Sequence, residues 1–255
     1  MNYHSNYIFK NIGKYCIIKQ IGFGSTSKIF LANDKKGNSF SIKMYVTEKY
    51  KSQFENEVNI LKTINGAHFP KILETIQYKK CNFIIFPYYS QKDLFDTVTP
   101  KLPITNSEIM ENIGKMAKPI HDLHQYNIAH LDIKMENYLI NQKNGKLLLI
   151  DYGTASKIDT FSPSFLIRGT KQYLSPEVLQ NNPVLKSDVW SLGIIAMLLN
   201  LQEKININNY HIDTQKYLDK IDDSDYLIKH FLRDTLVVDY KKRISIEDLY
   251  QKYFE

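Results

Sequence analysis

His130, Asp132, Lys134 and Asn137 crowd the stretch HLDIKMEN, residues 130–137. A carboxylate such as Asp132 can take a proton from an attacking hydroxyl. The ammonium of Lys134 can neutralise a phosphoryl group in transit, and the amide oxygen of Asn137 suits a hard cation. His130 fits a structural role better than a catalytic one. Fourteen residues beyond Asn137, LLLIDYGTA ends an apolar run on Asp151. A carboxylate leaving a sheet edge there can chelate Mg2+. Taken alone, either aspartate serves equally well as a turn residue or a helix cap.

Two further groups lie upstream. IGFGSTSKI carries Gly22 and Gly24, which permit tight turns and a close backbone approach to a phosphate. By itself the G-x-G is more simply a hairpin turn, because Ser27 holds the third glycine position. Lys43 sits mid-strand in FSIKMY among apolar neighbours, where a lysine needs a partner. Glu57 in FENEVNIL offers a carboxylate from the next helix. Strand alternation alone leaves open the other reading, a lysine on the wet face of an edge strand.

The elements that must position these groups change character along the chain. YCIIKQI, SKIFLAND, SFSIKMY, KILETIQY and CNFIIFPYY are short β-prone runs separated by turn residues, and they predict a five-stranded sheet. SQFENEVNILKTING predicts one helix among them, with Phe54, Val58, Leu61 and Ile64 at helical spacing and Gly66 as a stop. After Tyr89 helices dominate. SEIMENIGKMAKPIHDLH places Ile109, Ile113, Met116, Ile120 and Leu123 on one face, and Pro119 need not end it. KSDVWSLGIIAMLLNL is apolar nearly all round and predicts a buried helix. DYLIKHFLRDTLV and SIEDLYQKYF predict two more amphipathic helices. PYYSQKD is the candidate hinge between the two parts.

The totals allow this. The chain has 255 residues, enough for one large domain or two small lobes. Its net charge of +6 comes without a dense basic run, which fits a solvated lysine-rich surface rather than a nucleic-acid partner. Cys16 and Cys81 cannot form a disulfide framework, and no Cys/His spacing suggests zinc. The first ten residues lack the basic region and apolar core expected of a signal peptide, and the longest apolar stretch is about half the ~20 residues of a membrane helix. The expectation is an intracellular, cytoplasmic protein with the nucleus open to it, and no membrane partner.

In order, the chain shows GFGSTSKI, SIKMY, FENEVNIL, HLDIKMEN, DYG, SPE, SDVWSLG and DYKKRIS. This series resembles the eukaryotic protein kinases of the serine/threonine branch, and the resemblance runs from about Tyr15 to Phe254. It implies an α+β bilobal fold: a small antiparallel sheet with one helix, then a larger, mainly helical lobe. The whole chain, 1–255, would be a single kinase domain, with the first lobe to about residue 87, a hinge at about 87–93 and the second lobe from about 94. It implies transfer of the γ-phosphate of ATP, with Mg2+ or Mn2+, to serine or threonine hydroxyls of a protein substrate.

The resemblance also assigns roles. Ile21, Gly22, Phe23, Gly24, Ser25 and Ile29 belong to the hairpin over the nucleotide. Lys43 holds phosphates and pairs with Glu57. Phe86 falls at the gatekeeper position, Pro87 offers a carbonyl to adenine, Tyr89 a backbone donor, and Asp93 meets the ribose. Ala32 and Leu139 sandwich the adenine. Asn137 and Asp151 hold the metal, Asp132 is the base, and Lys134 steadies the transferred group. Glu177 and Arg243 form a buried ion pair, and Asp188 anchors the catalytic-loop backbone.

Departures matter too. Ser27 replaces the third glycine and Ser175 the alanine of A-P-E. Tyr152 replaces the phenylalanine of D-F-G, and its hydroxyl wants a partner. Leu131 replaces the arginine that binds an activation-segment phosphate, so activity should not depend on phosphorylation there. Thr160, Ser162 and Ser164 still offer acceptor sites. Glu136 favours a basic residue before the target hydroxyl. Regulation is left to the activation segment, the EKYKSQ region or a separate regulatory protein. A pseudokinase acting as a nucleotide-binding scaffold is the alternative, but it normally lacks one of Lys43, Asp132, Asn137 and Asp151. A small-molecule kinase normally lacks the Gly169-to-Glu177 platform.

Overall fold

Alternation of apolar and polar residues builds the first lobe. The computed structural model describes residues 9–46, 50–89, 92–141, 144–160, 169–201, 218–219 and 226–255. Six antiparallel strands form one sheet in the order β1-β2-β3-β4-β6-β5. They are β1 (Asn11–Ile12), β2 (Tyr15–Phe23), β3 (Ser27–Asn33), β4 (Ser39–Val46), β5 (Glu74–Tyr78) and β6 (Cys81–Pro87). The sequence predicted five. The addition is β1, two residues long and folded back on β2 through Gly13, whose φ of 55° favours glycine. A two-residue strand carries no alternation to read.

One face of the sheet buries Ile12, Tyr15, Ala32, Ile42, Met44, Phe83 and Ile85 together. Strand period two sends Ser41, Lys43 and Tyr45 to the other face. There α1 (Lys51–Thr63) packs, with Val58, Ile60 and Leu61 buried. The helix stops at Thr63, three residues before the Gly66 expected to end it.

The second lobe is helical: α2 (Leu94–Val98), α3 (Asn106–His124), α4 (Pro176–Leu179), α5 (Lys186–Leu201), α6 (Tyr226–Thr235) and α7 (Ile246–Phe254). A capping box starts α3, with Thr105 and Glu108 satisfying each other's backbone N–H. Its face of Ile109, Ile113, Met116, Ile120 and Leu123 is buried, and Pro119 lies inside the continuous helix. Helix α5 is buried along nearly its whole length, as its composition demands. Gly193 lets α6 come close, since a Cβ there would stand 2.5 Å from Thr235 Oγ1. Among the described residues no helix is long and apolar enough to cross a membrane.

Two small two-stranded sheets hold the loops that matter. Strand β7 (Ile128–Ala129) pairs with β10 (Ser156–Lys157), and β8 (Tyr138–Ile140) with β9 (Leu147–Leu149). The segment after α1 is tied to this lobe: Leu149 N donates to His68 O at 2.9 Å and Tyr126 Oη to Asn65 O at 2.9 Å. The chain is thus an α+β fold of two lobes, with the polar residues of interest where they meet.

Candidate active site

A cleft of about 310 Å3 lies between the sheet and the helical lobe. Ile21, Gly22, Phe23, Gly24 and Ile29 line it from the β2–β3 hairpin, and Lys43 and Glu57 from behind. Phe86, Tyr89 and Asp93 line the connecting side, and Leu139, Asn137 and Asp151 the floor. The hairpin is closed by Gly24 N donating to Ser27 O at 2.8 Å. Ser25 is exposed at its tip and does not line the cleft, and neither does Pro87 at the end of β6.

Ala32 is a correction. It is fully buried on the opposite face of the sheet, with Ile42 and Met44. Ile29 faces the cleft, and three residues along a strand reverse the face. Ser41 lines the cleft instead. The signal was available, because Ser41 is two residues from Lys43 and must share its side.

Lys43 is 5% exposed and is paired twice. Its Nζ lies 2.7 Å from Glu57 Oε2 and 2.9 Å from Asp151 Oδ1. Burial works against its charge, but Asp151 and Glu57 outweigh that and push its pKa well above the lysine range. Burial also pushes Asp151 up, but Lys43 outweighs it and holds the carboxyl below its ordinary value. The side chain of Asp151 remains 45% exposed, so its second oxygen can face the cleft. Its φ of 69° turns the chain sharply after β9.

Asp132 is held from several directions. Its Oδ1 accepts from Thr170 N and Thr170 Oγ1, both at 2.8 Å. Its Oδ2 accepts from Asn137 Nδ2 at 3.0 Å and stands 3.1 Å from Lys134 Nζ. Lys134 also donates to Thr170 Oγ1 at 2.8 Å. Asn137 Nδ2 donates to Asp132 O as well, at 2.7 Å, which leaves its amide oxygen as the group for a cation. The donor set, one carboxylate oxygen and one amide oxygen, fits Mg2+.

The loop backbone is fixed by buried Asp188, which accepts from Leu131 N and His130 N, each at 2.8 Å. Leu131 has a φ of 64°, and a Cβ on Gly169 would sit 2.6 Å from Leu131 O. Only glycine lets the segment carrying Thr170 approach so closely. Asp132 N donates to His130 Nδ1 at 3.3 Å, so the ring proton is on Nε2 and bonds Ile150 O at 3.0 Å. His130 is structural.

Tyr152 is fully buried, and its hydroxyl has no hydrogen-bond partner among the described residues. Burial pushes its pKa well up. An unmet buried hydroxyl costs about 1–3 kcal/mol. Tyr152→Phe is therefore expected to raise the unfolding free energy by about that amount, read as a higher denaturant midpoint. Glu136 lines the cleft, and its buried Oε2 likewise has no partner among the described residues. Burial raises its pKa, and nearby Asp93 and Asp132 add to this. Ser162, Ser164 and residues 48–49 of the EKYKSQ region lie outside the described residues. Sequence reasoning gave no role to Ser41, Tyr45 and Asn56, which sit inside its motifs: Ser41 lines the cleft, Tyr45 bonds Glu57 and Asn56 bonds the turn after Asp151.

The comparisons with known proteins agree with this geometry. A family model described as protein kinase domain matches residues 15–254. A calcium/calmodulin-dependent protein kinase type 1 of Caenorhabditis elegans is 27% identical over 92% of this chain and 72% of its own length. Those of Macrobrachium nipponense and Caenorhabditis briggsae are 27% and 28% identical, covering 91% and 92% of this chain and 72% and 70% of theirs.

Proposed function

The chain belongs to the protein kinase family, and from that premise we propose that it transfers the γ-phosphate of ATP to serine or threonine hydroxyls of proteins. The carrying observation is Asp132, fixed by Thr170 and by Asn137 and Lys134, which line the cleft. A base held in place needs little reorganisation when the hydroxyl arrives. Bound Mg2+ neutralises charge on the phosphates. Asn137 and Asp151 are the residues that would hold it. Lys43, fixed by Glu57, offers a cation to the nucleotide phosphates. Lys134 lies beside the base and can stabilise the group in transit. Ile21, Ile29, Ser41, Phe86 and Leu139 supply the walls for adenine, and Asp93 a carboxylate for the ribose.

Lys134 and Thr170, joined at 2.8 Å, support the serine/threonine class. The test is transfer of labelled phosphate to peptides offering serine, threonine or tyrosine as sole acceptor. Label on serine and threonine is expected. Label confined to tyrosine contradicts the substrate class.

Two finer features belong to the proposal. Leu131 places no cation where an activation-segment phosphate would dock, so phosphatase-treated protein should retain activity. Loss of activity on treatment, with recovery on rephosphorylation, would overturn this. Glu136 has a carboxylate oxygen with no partner among the described residues and suits an incoming cation. Glu136→Gln is expected to lower kcat/KM about tenfold for peptides with Arg or Lys before the acceptor, from loss of a charge-assisted hydrogen bond. Neutral peptides should be unaffected.

A further inference from the structure

Helix α1 brings Glu57 to Lys43, yet its own apolar hold is thin. Of its thirteen residues only Val58, Ile60 and Leu61 are buried apolar side chains. Polar ties must therefore matter to where it sits. Two come from residues of the quoted motifs to which the sequence analysis gave no role.

The first is Tyr45, two residues beyond Lys43 on the same face of β4. It is 1% exposed, and its hydroxyl donates to Glu57 Oε2. Its ring packs edge-on against Phe54 of α1, with centroids 5.8 Å apart. Lys43 Nζ stands 5.2 Å from that ring. Glu57 thus receives Lys43, the Tyr45 hydroxyl and, at 3.4 Å, Tyr152 N. A carboxylate held by three donors is fixed in orientation as well as in charge.

The second is Asn56. Its Nδ2 donates to Ala155 O at 2.8 Å and to Tyr152 O at 3.2 Å. Both carbonyls belong to the turn that follows Asp151. Neighbouring residues of α1 therefore grip one short segment: Asn56 takes its carbonyls and Glu57 its N–H. The helix and the Asp151 loop are coupled at the backbone.

We propose that Tyr45 and Asn56 are positioning residues that clamp α1 onto the Asp151 loop, so that the Lys43–Glu57–Asp151 cluster stays assembled without a phosphate on the activation segment. The clamp does locally what Leu131 cannot do through a phosphate. A tyrosine in a core can satisfy its hydroxyl on any carbonyl, and a helical asparagine can face water. Here Tyr45 reaches Glu57, which sets Lys43, and Asn56 reaches the turn that follows Asp151. The proposal rests on the kinase reading for its effect on rate, but not for its effect on α1.

Tyr45→Phe keeps the ring and loses the donor, and Asn56→Ala keeps the helix. Each, and the pair, would be measured after phosphatase treatment for kcat and KM of Mg-ATP. Amide hydrogen exchange over residues 51–63 would be followed in the nucleotide-free protein, with α5 as reference. Each single change is expected to lower kcat about tenfold with little change in KM, and to speed exchange in α1 but not α5. Wild-type exchange in α1 of the double variant overturns the clamp, as does exchange that rises equally in α5. Wild-type kcat in the double variant overturns its role in catalysis. If the unmutated protein transfers no phosphate, the kinase reading fails, and the exchange data still decide whether α1 is clamped.

Discussion

Asp132→Asn is expected to lower phosphoryl transfer by about 10²–10⁴-fold while leaving nucleotide affinity nearly unchanged. The carboxylate can accept the hydroxyl proton without first losing one. It is surrounded by donors: Thr170 twice, Asn137 and Lys134. An asparagine in its place is no base, and one side of it becomes an N–H2 that must face either Thr170 or Asn137 and Lys134. The variant therefore loses the proton acceptor and loosens the loop. Asp132 is not part of the cleft lining, whereas Lys43, Phe86 and Leu139 are. A single-turnover measurement at saturating Mg-ATP, beside a nucleotide titration, separates the two effects. A variant that transfers at the wild-type rate would remove Asp132 from the chemistry.

Arg243→Ala is expected to cost about 3–5 kcal/mol of stability, because it leaves a buried charge alone. Arg243 is 1% exposed and binds Glu177 with both ends of its fork, at 2.6 and 3.0 Å. It also donates to Lys186 O at 2.8 Å and Val237 O at 2.9 Å, and lies 5.0 Å from the Trp190 ring. One side chain thus joins α4, the start of α5 and the turn after α6. Burial pushes Glu177 up, but the Arg243 hydrogen bonds outweigh it and hold the carboxyl below its ordinary value. A depressed carboxylate adds stability that is present above the ordinary glutamate range and is lost as pH falls through the lowered value. Denaturant midpoints at neutral and acidic pH check both points. Arg243→Ala should show a low midpoint at neutral pH and a flatter acid limb. An unchanged midpoint would mean that the pair is not holding the platform.

How much of this could be read from the residues divides by physical cause. Long periodic faces were legible: the apolar stripe of α3 and the all-round apolar α5 fix those helices before any contact is known. A charge with an apolar setting was legible too, since Lys43 demanded a partner and has one, whereas the Glu177–Arg243 pair was legible only through the family resemblance. Faces within a strand were legible in principle but not used for Ala32, where a residue type suited to the cleft was preferred to the alternation that excludes it. Strand β1 was not legible, because two residues have no period. Nor were Tyr45 and Asn56. A tyrosine in a strand and an asparagine in a helix carry no signal of their partners, which are set only when α1 docks. The orphaned hydroxyl of Tyr152 falls between these cases: its need for a partner was visible, but its lack of one depends on packing around Phe69 and His130.

The most direct test of the central claim is transfer of labelled γ-phosphate from ATP to a protein or peptide substrate by the phosphatase-treated chain, with Mg2+ and then with a chelator. The account predicts label on serine and threonine with the metal and none without it. A folded chain that binds Mg-ATP yet moves no label onto any acceptor would contradict the account and leave a nucleotide-binding scaffold in its place.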